Sequence, residues 1–95
     1  MSDSRVDFPW DWTHVDQSLQ IKVGAGALHT VTINQLAAGD TVTIYDGADI
    51  FGAVMAIIAT ALSQPVTLIY DARVETGIFI AIAGQGPNDL TVNYI

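Results

Sequence analysis

The chain is almost bare of the residues that line a surface helix. It holds one Lys (Lys22), one Glu (Glu75) and two Arg (Arg5 and Arg73), against 11 Ile, 9 Val and 9 Thr. Those β-branched residues occupy 29 of 95 positions, and their branched Cβ atoms suit a pleated surface better than a helical one. The poverty of straight-chain helix formers argues against any long helix. An all-β fold is expected.

The pattern of runs and breaks supports this. Leu19, Ile21 and Val23 alternate with Gln20 and Lys22 and are expected to face inward. Gly24-Ala25-Gly26 interrupts, and residues 28–34 form a second strand that ends near Ala38-Gly39-Asp40. Residues 41–45 alternate again, with Val42 and Ile44 on one face, and Asp46-Gly47 is a turn dipeptide. Residues 54–59 are an apolar run of strand length that periodicity leaves open between a strand and a short helix. Ser63-Gln64-Pro65 turns the chain into residues 66–70, and Gly77 opens residues 78–83. Residues 84–89 are the most turn-rich stretch, and Leu90, Val92 and Tyr94 then alternate with Thr91 and Asn93. About seven strands joined by short turns predict an antiparallel β-sandwich or barrel, and the sandwich is preferred. No crossover is long enough to demand parallel pairing. Tyr45 and Tyr70 suit either the core or an interface.

Residues 1–16 have neither period. They hold Asp3, Asp7, Asp11 and Asp16, together with Pro9 and the aromatics Phe8, Trp10 and Trp12. They read as an extended arm ahead of a sandwich domain spanning residues 17–95. A loose terminus is the plain alternative. Against it, both tryptophans lie here, and indole is costly to leave in water. Phe8, Trp10, Trp12 and His14 are therefore the candidate partner-binding residues. Trp10 and Trp12 would also suit a sugar ring, but stacking needs a rigid platform that an arm does not provide.

Only 14% of residues are charged, against about 25% in ordinary soluble domains, while 51% are hydrophobic. A surface so poor in charge needs cover from copies of itself or from a larger body. The formal charge of -7 disfavours nucleic acid and anionic membranes as partners. The absence of cysteine excludes disulfide scaffolds and thiolate metal sites. Residues 1–5 lack the pattern of a secretion signal, and the apolar stretch at 50–59, broken by Gly52, is too short to span a bilayer. A soluble product of the cytoplasm is expected.

Catalytic and cofactor chemistry finds little support. His14 and His29 have no metal-ligand spacing, so they are read as surface or interface histidines, with a pH-sensitive contact as the sharper alternative. Asp46 and Asp49 share a glycine-containing loop, yet no Glu follows where a calcium loop needs one. Ser2, Ser4, Ser18 and Ser63 lie in no nucleophile-elbow pattern. Arg73 and Glu75, two apart on a strand, suit a surface ion pair. Gly24-Ala25-Gly26 is too short for a dinucleotide fingerprint. No enzyme activity, metal or cofactor is expected.

Residues 28–34 (Leu-His-Thr-Val-Thr-Ile-Asn), residues 41–47 (Thr-Val-Thr-Ile-Tyr-Asp-Gly), Tyr70-Asp71 and residues 89–94 (Asp-Leu-Thr-Val-Asn-Tyr) together resemble a group of small tailed-bacteriophage proteins. The likeness spans roughly residues 19–95, and its motifs are strand and turn chemistry. Members resemble virion structural proteins, including head-decoration (cement) proteins with jelly-roll-like sandwiches. The resemblance implies a non-enzymatic protein on the capsid exterior of the virion, made in the host cytoplasm. Its partners would be the major capsid protein and copies of itself, as a homotrimer at three-fold sites. The alternative it leaves open is a tail, fibre or host-recognition domain that binds a receptor or glycan.

Overall fold

The computed structural model describes residues 10–59 and 65–95. Eight strands form: β1 (Asp11–Val15), β2 (Leu19–Val23), β3 (Gly26–Gln35), β4 (Thr41–Asp46), β5 (Ala53–Ala59), β6 (Val66–Val74), β7 (Gly77–Ala83) and β8 (Asp89–Tyr94). They make two four-stranded sheets, sheet A in the order β1-β8-β3-β6 and sheet B in the order β2-β7-β4-β5. Every pairing is antiparallel. The fold is an all-β antiparallel sandwich. Its pairs nest: β1 with β8 and β3 with β6 in one sheet, β2 with β7 and β4 with β5 in the other.

Alternation builds the core. Val31, Ile33, Leu90 and Val92 of sheet A meet Val42, Ile44, Ile78 and Ile80 of sheet B, all without solvent contact. Burying each such side chain contributes about 1.5–3 kcal/mol. Tyr70 and Tyr94 pack their rings against this cluster. Burial pushes the Tyr70 hydroxyl above the ordinary phenol range. The Tyr94 hydroxyl finds Thr13 Oγ1 at 2.9 Å. Ile95 is paired too, exchanging backbone hydrogen bonds with Ala27.

Two expectations change, and one choice that the sequence left open is decided. The strand beyond the expected seven lies within the segment read as an arm. From Asp11 to Val15 the chain runs along β8, with Asp11 opposite Tyr94 and Val15 opposite Leu90. Val15 drops into the core, so the sandwich begins by residue 11. The tryptophans obscured this alternation, because Thr13 stands where an apolar inward residue would be sought. Second, residues 54–59, open between strand and helix in the sequence, belong to strand β5, which among the described residues pairs with β4 alone. Third, Leu19, Ile21 and Val23 do not share the inner face. A bulge between Gln20 and Lys22 breaks the alternation. Ile21 packs on the core and Leu19 lies opposite the core residue Ile80 at the sheet edge, whereas Val23 is turned outward and is 80% exposed.

Two aspartates bracket β4 and hold both ends of its neighbour β7. Just before β4, buried Asp40 accepts hydrogen bonds from Asn88 Nδ2, Gly86 N and Gln85 N in the β7–β8 turn. The Asn88 amide, then the Gly86 and Gln85 amides, hold its carboxyl below the ordinary carboxylate range, against an opposing effect of desolvation. Gly84 is required here. A Cβ at that position would overlap Asp40 Oδ1, at 1.9 Å. At the other end of β4, Asp46 accepts from the backbone amides of Glu75, Thr76 and Gly77. The Glu75 and Thr76 amides, with a smaller contribution from Gly77, hold its carboxyl low as well.

Candidate binding surfaces

The register lays the outward side chains of each sheet in rows that cross the strands. In sheet A one row runs Trp12, Asn93, Thr30, Ile69, and the next runs His14, Thr91, Thr32, Thr67. These residues point outward because their strand neighbours Val31, Ile33, Leu90 and Val92 fill the core. The polar members bond to one another. Asn93 Nδ2 donates to Thr30 Oγ1 at 2.7 Å, and the Thr32 and Thr67 hydroxyls pair at 3.0 Å. Asn34 Nδ2 donates to Thr91 Oγ1 at 3.3 Å.

Both histidines lie on this face, each against a carboxylate. His14 Nε2 contacts Asp89, and His29 Nδ1 contacts Asp71. His29 and Asp71 meet where β3 and β6 fall out of register, and Asp71 takes a left-handed conformation there (φ 48°). One face of the His29 ring is covered by Trp10, with centroids 4.3 Å apart and an interplanar angle of 14°. Trp10 is thus packed on its own domain. Trp12, in contrast, is 69% exposed. It stands on a hydrogen-bonded strand, so the objection that an arm makes a poor stacking platform does not apply to it. Phe8, the remaining candidate of the N-terminal segment, lies outside the described residues.

Sheet B presents the opposite chemistry. Its rows run Gln20, Phe79, Tyr45, Val54, then Ala81, Thr43, Ile57, then Ala83, Thr41, Ala59. None of these residues is Asp, Glu, Lys, Arg or His, and only Gln20, Thr41, Thr43 and the Tyr45 hydroxyl are polar. Tyr45 and Phe79 pack as a tilted ring pair, with centroids 6.3 Å apart. Ile57 is 67% exposed. The β4–β5 turn also exposes apolar side chains, Ile50 and Phe51, the latter 88% exposed. A surface of this kind is stabilised by cover.

The remaining sequence candidates have local roles. Asp49 Oδ1 accepts from Phe51 N at 2.9 Å, while Asp46 is occupied by the β6–β7 turn. The two aspartates thus serve different turns. No group of three or more His, Cys, Asp or Glu side chains placed to hold a metal ion occurs among the described residues. Arg73 and Glu75 pair at 3.2 Å, both well exposed. A cleft of about 380 Å³ between the β1–β2 and β7–β8 turns has one ionisable lining residue, Asp16. Ser18 in that cleft accepts from Ile82 N and donates to Ile82 O.

Comparisons with protein-family models, with curated proteins and with solved structures returned no match.

Proposed function

We propose that the chain is a non-enzymatic assembly protein of a tailed-phage particle, seated on the capsid exterior as a decoration or cement protein. The observation that carries this reading is the outer face of sheet B, whose rows hold Phe79, Tyr45, Val54, Ala81 and Ile57 and no charged residue. Binding a shell through that face removes apolar area from water at about 25 cal/mol per Å². Repetition over a lattice makes modest individual contacts effective. The nested strand order supports reading the sandwich as jelly-roll-like, in keeping with the resemblance of residues 19–95 to virion proteins. Docking is assigned to sheet B because Trp10, one of the candidate partner-binding residues, stacks on His29, and residues 11–15 form a strand of sheet A. Copy number per particle, from quantitative mass spectrometry of purified virions, is the test. A number matching a shell lattice supports decoration. Absence from particles overturns it.

A second reading, host recognition through a glycan, is favoured by one observation: Trp12 stands exposed on a rigid strand beside the Asn and Thr rows of sheet A. An indole face with neighbouring amides and hydroxyls is suited to a sugar ring. A glycan screen with the native chain and Trp12→Ala tests it. Binding lost in the variant supports this reading, and no glycan bound by the native chain rejects it.

A further inference from the structure

We infer that β5 is a pairing edge, and that its partner is the β5 strand of a second copy, joined antiparallel so that the two B sheets become continuous. Four strands end the two sheets: β1 and β6 in sheet A, β2 and β5 in sheet B. An edge strand carries a row of unpaired backbone donors and acceptors, and proteins guard such rows with charges, bulges or proline. Three of these edges are guarded. β1 carries Asp11 and His14, β2 carries Lys22 and a bulge, and β6 carries Asp71, Arg73 and a bulge. β5 is Ala-Val-Met-Ala-Ile-Ile-Ala, with no charge and no proline. Its one irregularity sits near its start, opposite Ile44 and Tyr45, and leaves residues 56–59 regular. Among the described residues β5 pairs only with β4.

The chemistry of the edge names the class of partner. A row of backbone N–H and C=O groups is satisfied by another extended strand. Electrostatics favours a copy of β5 in antiparallel orientation. Each chain carries a formal charge of -7, so copies repel unless their carboxylates are kept apart. Of the acidic residues beside β5, Asp46 and Asp49 lie before its start, while Asp40, next to Thr41 opposite Ala59, is buried and already bonded to Gln85, Gly86 and Asn88. Antiparallel pairing sends the two acidic turns to opposite ends of the joint. Seven residues at about 3.4 Å each put them roughly 24 Å apart, well beyond the screening length of about 8 Å at physiological salt. Parallel pairing would set them side by side. The joint also places apolar residues against apolar residues along its whole length. It is isologous and closes at two copies, in place of the three-fold arrangement expected from shell symmetry.

Sedimentation velocity of the isolated protein across a concentration series tests this without any particle, so its outcome is separate from that of the decoration reading. The native chain is expected to sediment as a dimer, with slowed amide exchange within residues 56–59. Ile57→Lys, at an exposed position, sets like charges near each other across the joint and should weaken dimerisation about a hundredfold. Ile69→Lys, equally exposed but on the guarded β6 edge, should leave the dimer intact, and so should Ala81→Glu, two strands away from β5. Circular dichroism establishes that each variant folds. A monomer or trimer at every concentration, fast exchange across residues 56–59, or a dimer indifferent to Ile57→Lys would overturn the proposal.

Discussion

The two outer faces of the sandwich are built on the same inward alternation and end with opposite chemistry. Sheet A shows Thr, Asn and His in rows whose hydroxyls and amides bond to each other. Sheet B shows Phe79, Tyr45, Val54, Ala81 and Ile57, with no charge in any row. The first face bonds its polar groups to one another, with Trp12 and Ile69 as its exposed apolar members. The second exposes aromatic and branched side chains whose only gain comes from burial. Inward residues therefore specify the fold, while the outward residues at alternate positions decide which side is an interface.

The comparison can be broken most forcefully from inside. If both sheets share one core, Ile80→Ala from sheet B and Leu90→Ala from sheet A should each cost about 2–5 kcal/mol in chemical denaturation. A large inequality would show that the inner faces differ as well. The outer faces should then diverge in binding. Ala81→Glu on sheet B buries a charge at the docking surface, and about 2–5 kcal/mol of affinity for particles should be lost. Thr32→Glu on sheet A should leave co-sedimentation with particles unchanged.

Acid should separate the sheets through Asp40 and Asp46. Both carboxyls are held low in the folded chain, so ionisation favours folding. Their contribution is complete above the ordinary carboxylate range and is lost as the pH falls through the depressed folded values. Both anchor turns that flank β7 in sheet B. Amide exchange followed down the pH scale should therefore release residues 75–77 and 85–86 before the β3–β8 ladder of sheet A. Asp46→Asn should loosen residues 75–77 already at neutral pH. The smallest effects belong to single polar contacts. Tyr94→Phe, which strands Thr13, should cost about 1 kcal/mol, and Arg73→Ala no more than a few tenths.

Much of the frame was legible because it rests on alternation. Val42 with Ile44, and Leu90 with Val92, read as inward from spacing alone, and all four are buried. What escaped depended on pairing. The bulge at Gln20 and Lys22 turns Val23 outward, and nothing in Leu-Gln-Ile-Lys-Val signals it. Strand β1 was hidden by its own aromatics, since Trp12 and His14 alternate with Thr13 and Val15 only once β8 supplies a register. The contacts of the candidate residues were less legible still. His29, Trp10 and Asp71 come from three separated stretches, and Asp71 meets His29 across a register shift. The apolar face of sheet B was foreshadowed by the low charge content, but its location required the order β2-β7-β4-β5. Asp40 and Asp46 read as turn formers, although each acts on a turn far along the chain.

The contrast between the faces is tested most directly by oxidative footprinting of the chain free and bound to the phage particles that carry it. Docking through sheet B predicts that Tyr45, Phe79 and Phe51 become protected on the particle while Trp12 is labelled as in the free protein. Protection of Trp12, with Tyr45, Phe79 and Phe51 labelled as before, would contradict the account and make sheet A the docking surface.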